Sequence, residues 1–307
     1  MLRTLLRRNL LVLLLALSGV IPCAAREEKG AQFEAKGATI YYEVIGSGPA
    51  TPLVVVNGGP GFDHTYLHVS GAWETLAKNR RVIFYDQRGT GQSSKVAKDA
   101  TYTLADQIDD LEALRAHLGL ERMDLLGHSW GGFLVMAYAA RHPDRIAHLM
   151  IVDSAAPAFK DTVFLFDQVF PEGSDREKSG GFAEEMGDKA ALEANLHEYL
   201  SMLFYSQEKR DGFLAAVPAS VYKKEINEAV VRDINRFDLN PEIRKFRFPT
   251  LVITGRFDMN VAPLVAWKIH QSIPASRFAV FERSGHLPFY EEPEAFVRTV
   301  EDFLGGK

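Results

Sequence analysis

Short apolar runs recur along this chain, and most of them close on Gly, Asp or Ser. The first two lie at Leu53 to Val56 and Val82 to Tyr85. Four more sit in RMDLLGHS, HLMIVDSA, TLVITGRFD and RFAVFERSGH. A continuous apolar run, with no polar residue at alternate positions, is the pattern of a strand buried on both faces. Helical periods fill the spaces between. Thr103 with Asp106 three residues on is a capping signature, and Leu104, Ile108, Leu111 and Leu118 then share one face before Gly119. Pro293 opens a last helix with the stripe Phe296, Val300, Phe303 and Leu304, followed by Gly305. Strands alternating with helices predict an α/β fold, a mostly parallel sheet covered by helices on both faces.

The pattern breaks between residues 157 and 246, where charged helical stretches such as AEEMGDKAALEANLHEYLSMLFY replace the strands. This segment reads as a helical lid inserted after HLMIVD. It would roof the strand ends, where open α/β sheets bind ligands. The core then divides into residues 26–156 and 247–307.

The N-terminus is of another kind. Arg3, Arg7 and Arg8 precede an apolar run from Leu10 to Ile21, too short to span a bilayer comfortably, and Cys23-Ala24-Ala25 puts small residues before Arg26. Basic, apolar, small is the order of a secretory signal peptide over residues 1–25. An uncleaved anchor is the alternative; lipidation at Cys23 is opposed by Pro22. Cys23 is the only cysteine, so a mature chain would enter an oxidising compartment with no disulfide to form. A periplasmic or secreted protein with no stable membrane insertion is expected.

Composition adds exclusions. With 47% apolar and 24% charged residues the 307-residue chain is globular, and a net charge of -5 without a Lys/Arg stripe excludes nucleic acid as a partner.

The chemistry starts at Gly127-His128-Ser129-Trp130-Gly131, between the strand MDLL and the helix WGGFLVMAYAAR. A G-x-S-x-G in strand-turn-helix context is a nucleophile elbow. Its serine needs a base. His286, in SGHLP past the last strand, is the expected one, third in the order Ser, Asp, His. His117, His142 and His270 belong to amphipathic helices, His148 to the strand end away from the elbow, and His197 to the lid. His128 is too close in sequence to reach the serine usefully. For His64 and His68, pocket lining, core packing and solvent all stay open. Asp258, three residues after LVITG, is the expected acid, with Asp153 at the end of MIVD as runner-up and Asp86 structural. The oxyanion hole is expected from the N–H groups of Trp130 and Gly59, the latter in NGGPG. Gly89-Thr90-Gly91 lacks the third glycine of a dinucleotide loop, and no His/Cys/Glu group has metal-ligand spacing. No cofactor is implied.

NGGPG, DQRGTGQS, GHSWGG, GRFD and SGH, in that order, resemble the proline iminopeptidase branch of the α/β hydrolases. The likeness covers nearly all the mature chain except the lid. It implies the α/β-hydrolase fold with a helical lid after its sixth strand, and release of an N-terminal residue, typically proline, from short peptides. It also implies lid and loop glutamates that hold the substrate ammonium, Glu228 here being the lid candidate. Phe164, Phe166 and Phe170 are candidates for the apolar wall around a proline ring. Two positions depart from the family: Asn57 stands for the usual His of HGGPG, and Met259 follows the acid where a second carboxylate is common. The alternatives are a small-molecule esterase, lactonase or amidase using the same residues, or a ligand-binding protein with little turnover. Ser129 at the elbow excludes epoxide hydrolases and dehalogenases. The expected partner is a small peptide or small-molecule acyl substrate. Intact-mass measurement of the exported protein is expected to place its N-terminus at Arg26; a mass retaining Met1 to Ala25 would refute cleavage.

Overall fold

The computed structural model describes residues 28–185 and 187–306; the expected signal peptide lies outside them. The six apolar runs form parallel strands: β3 (Leu53–Val56), β4 (Val82–Tyr85), β5 (Met123–His128), β6 (Ile146–Val152), β7 (Thr250–Gly255) and β8 (Arg277–Phe281). Two further strands precede them, β1 (Glu28–Ala35) and β2 (Ala38–Ile45), and pair antiparallel. Their residues alternate with polar ones, so they carry no continuous apolar run; Gly37, at φ 76, supplies the left-handed residue of their tight turn. The sheet order is β1-β2-β4-β3-β5-β6-β7-β8, with β2 antiparallel to β4. Counted from β1, HLMIVD is the sixth strand.

Every residue of β3, β4, β5 and β7 is buried. Alternate residues of one strand serve different cores. Val54 and Val56 face the helices Leu104–His117 and Trp130–Arg141, while Leu53 and Val55 pack with Trp73, Phe296 and Val300 on the other side. Helices on both faces explain why these strands read as uninterrupted apolar runs. The capping box at Thr103 forms as expected, and Leu114 rather than Leu118 completes the buried stripe, because the helix ends at His117.

Between β6 and β7 the described residues form helices and no strand of the sheet. The longest run Pro171–Glu185 and Lys189–Ser201, followed by Gln207–Ala216 and Lys224–Ile234. Leu196, Leu200, Leu203 and Phe213 of this insertion share a core with Leu287 and Phe289, so it is seated on the loop that carries His286. No helix among the described residues is long and apolar enough to cross a membrane.

The loop after β4 is fixed by charge. Arg88 donates from Nε and Nη2 to both carboxylate oxygens of Asp110, at 2.6 and 2.7 Å, and to the carbonyls of Thr101 and Lys36. Both partners of this fork are buried. Burial pushes the Asp110 carboxyl up even beside the guanidinium, so desolvation here is not small. Breaking such a pair leaves a buried charge alone. Asp110→Ala is therefore expected to lower unfolding free energy by about 3–5 kcal/mol in urea melts. The double variant Arg88→Met/Asp110→Leu should recover most of the loss; equal losses in both would mean that packing, not charge, sets the cost.

Candidate active site

Ser129 sits at the β5-to-helix turn with φ 56 and ψ -121, a conformation unusual for a residue with a side chain. The flanking glycines permit the turn by close approach. A Cβ on Gly127 would strike the carbonyl of Gly131, and one on Gly131 would strike the carbonyls of Val56 and Asn57. The helix thus begins pressed against β5 and β3, and the Ser129 side chain is turned into a cavity.

His286 lines the same cavity. Its Nδ1 lies 2.8 Å from Asp258 Oδ2, and both residues are buried. Asp258 Oδ1 accepts the N–H groups of Asn260 and Val261, each at 2.9 Å. Nε2 of His286 is met at 3.0 Å by the Asn260 amide, which donates to it when Nδ1 carries the ring proton toward Asp258. The Ser129 hydroxyl has no hydrogen-bond partner among the described residues. Asn260 was not foreseen; nothing in its residue type separates it from a surface amide.

Asp153, the runner-up acid, adjoins the same group. One oxygen each of Asp153 and Asp258 and one nitrogen of His286 all lie within 4.8 Å of one another. Two buried carboxyls this close cannot both ionise. Burial pushes both upward, and the charge of Asp258 adds to the rise at Asp153. Asp258 is favoured for the charge, with two backbone N–H donors and an imidazole against the single Gly255 N–H at Asp153. The proton belongs on Asp153. Burial also pushes His286 down to about 3, which keeps the imidazole neutral and able to accept a proton.

A hydrogen-bonded chain joins the loops around the cavity. Gly58 N–H donates to Tyr66 Oη at 2.7 Å, Tyr66 O–H to His128 Nδ1 at 2.7 Å, and His128 Nε2–H to the His286 carbonyl at 2.8 Å. Burial holds His128 neutral, well below the usual histidine range, as this donor pattern requires. Asn57 donates to the Phe62 carbonyl at 2.8 Å, and Gln87 bridges the Asn57 carbonyl to the Trp130 indole. Glu291, pushed up by burial, accepts the N–H groups of Gly285, Tyr205 and Ser206 and holds the His286 loop.

Gly59, at φ 127, and Trp130 border the larger cavity together with Ser129. Among the described residues neither backbone N–H has a protein acceptor. The smaller cavity, beside Ser129 and His286, is walled by Phe62, Tyr66, Leu200, Leu203 and Phe213. Phe164 and Phe166 line the larger one.

Two sequence expectations are corrected, and one left open is narrowed. Phe170 lines neither cavity; it is the C-cap that closes the short helix Phe166–Val169, at φ -128, ψ 60. Glu228 is exposed, 3.7 Å from Arg232, on the outer face of the helix Lys224–Ile234. One residue earlier is a rotation of about 100°, and Asn227 and Val231 are the ones that line the cavity. His64 and His68 line neither cavity. No Asp or Glu appears among the lining residues; the polar side chains facing the larger cavity include Asn195, Asn227 and Asn260.

The family model for the alpha/beta hydrolase fold matches residues 51–293. A curated proline iminopeptidase of Clostridium botulinum is 30% identical over 86% of this chain and 94% of its own length. One of Saccharolobus solfataricus is 31% identical over 87% of this chain and 89% of its own length. Among solved structures, the enol-lactonase of Burkholderia xenovorans LB400 superposes with a TM-score of 0.67 at 25% identity, covering 90% of this chain and 100% of that one. The chain belongs to the α/β-hydrolase family, in its proline iminopeptidase-like branch.

Proposed function

We propose that this protein is a serine hydrolase that releases an N-terminal residue, proline foremost, from short peptides. Ser129 Oγ attacks the scissile carbonyl while His286 Nε2 takes its proton, once substrate draws the Asn260 amide aside. Asp258 holds the imidazole tautomer and stabilises the imidazolium. The Gly59 and Trp130 N–H groups receive the oxyanion. The imidazolium protonates the departing amine, and water then resolves the acyl-enzyme by the reverse sequence. The observation that carries this reading is Ser129 lining one apolar recess with His286, itself paired with Asp258, in a chain about 30% identical over most of its length to proline iminopeptidases. Its basic-apolar-small N-terminus favours action outside the cytoplasm.

A second reading, a neutral ester, lactone or amide substrate, is favoured by the uncharged lining. A substrate ammonium would meet amides where a buried charge calls for a carboxylate. Rates on prolyl arylamide, N-acetyl-prolyl arylamide and an aryl ester separate the two. The aminopeptidase reading expects prolyl arylamide to be cleaved and N-acetylation to lower kcat/KM at least about tenfold, roughly 1.4 kcal/mol. Preference for the acetylated amide or the ester puts the second reading in its place.

The catalytic roles have their own tests. Ser129→Ala should cost about 10⁴-fold or more in kcat, and a fluorophosphonate should label Ser129 alone. Asp258→Asn should cost on the order of 10⁴-fold. Asp153→Asn should cost less than about tenfold, since an amide keeps both the acceptor for Gly255 and a donor toward Asp258. The reverse ranking would exchange the two acids. Because the active base is neutral and burial depresses His286, kcat/KM should hold as pH falls and drop only below about 6.5. A midpoint above 7 would contradict that environment.

A further inference from the structure

Outside both cavities, β2 and the turn after the glycine loop bring three donor side chains together: Glu43, and His64 and His68 of the 3₁₀ turn His64–Val69. Glu43 Oε2 lies 3.5 Å from His64 Nε2 and 3.3 Å from His68 Nε2. One ligating atom from each of the three falls within 4.8 Å of the other two. Both Nε2 atoms are buried and make no hydrogen bond among the described residues, and His64 as a whole is 1% exposed.

These distances bear on two accounts. Charge-assisted N–H···O bonds are about 2.7–2.9 Å long, so two imidazoles sharing one oxygen at 3.3 and 3.5 Å are poorly joined by protons alone. A tetrahedral ion with bonds of about 2.0–2.2 Å to N and O places its ligand atoms roughly 3.3–3.6 Å apart. The outer atoms are already committed as such a site needs. His64 Nδ1 is 2.6 Å from Asp86 Oδ1, which assigns the ring proton to Nδ1 and leaves the Nε2 lone pair facing Glu43 and His68. Tyr41 O–H donates to Glu43 Oε1 at 2.6 Å, leaving Oε2 for the centre. The side chains of Glu43 and His68 are 28% and 30% exposed, which gives an ion a way in and water a fourth position.

We propose that Glu43, His64 and His68 bind one divalent transition-metal ion of the zinc class, with Asp86 and Tyr41 orienting the ligands. Two imidazoles and a carboxylate suit zinc and its neighbours; magnesium and calcium call for oxygen donors throughout. The ion would tie β2 to the turn that begins three residues after Gly61, bracing the loop that carries Gly59.

The test is titration of the chelator-treated protein with Zn²⁺ by calorimetry, with His68→Ala and Glu43→Gln measured alongside and circular dichroism checking that each is folded. One Zn²⁺ per chain is expected, with a higher Tm when loaded and affinity weakened by about tenfold or more in each variant. Co²⁺ in the wild type should give the intense visible bands of a four-coordinate ion, a readout that needs no variant. Absence of saturable binding to the wild type overturns the proposal. So does equal affinity in wild type and both folded variants, or a six-coordinate Co²⁺ spectrum.

Discussion

The contact between the start of the helix Trp130–Arg141 and the strands β5 and β3 is the constraint on which the geometry around Ser129 depends. Gly131 lies against the carbonyls of Val56 and Asn57, and Gly127 against the carbonyl of Gly131, at a distance no side chain could share. That approach forces the left-handed turn at Ser129. It also brings the helix N-terminus, with the Trp130 N–H, beside the loop after β3, where Gly59 presents its own. One steric fact therefore positions the serine and both N–H donors. The chain from Gly58 through Tyr66 and His128 to the His286 carbonyl carries the same alignment to the base.

Electrostatics at the base follows from burial. Asp258, Asp153 and His286 share one dry site, which can hold no more than one negative charge on its two carboxyls. Directed N–H donors choose Asp258 as its holder. Asp153 then serves as a neutral neighbour, its Oδ1 accepting from Gly255 on β7. Two strand ends are thereby joined beside His286, whose imidazole burial keeps uncharged.

The cavity lining carries no carboxylate, whereas Asp258 and Asp153 lie together at His286. The recess beside Ser129 is aromatic and aliphatic, and the larger cavity under the insertion offers amides. Apolar walls discriminate among ligands by shape, whereas holding a charged amine in a buried site calls for a carboxylate. Met259 in place of the second family carboxylate, and Glu228 on the outer helix face, agree in this respect.

The alternation of buried strands and amphipathic helices, the turn at Ser129 and the pairing of His286 with Asp258 were legible in the residues, because each is written in local pattern or in spacing along the chain. β1 and β2 were not, since their alternating residues lie near the sheet edge and leave no continuous apolar signal. Glu228 and Phe170 depend on helix rotation and helix ends: a helix turns about 100° per residue, so a shift of one position puts Glu228 on the exposed face, and the end of the short helix at Val169 leaves Phe170 off the cavity lining. Asn260 at the base, the sharing of a site by Asp153 and Asp258, and the meeting of Glu43 with His64 and His68 depend on distances across the sheet. Sequence by itself determined which local conformations the chain prefers and which residues can do chemistry. Which of them meet was decided only by strand order and helix rotation, because pair contacts between distant segments leave no period in the chain.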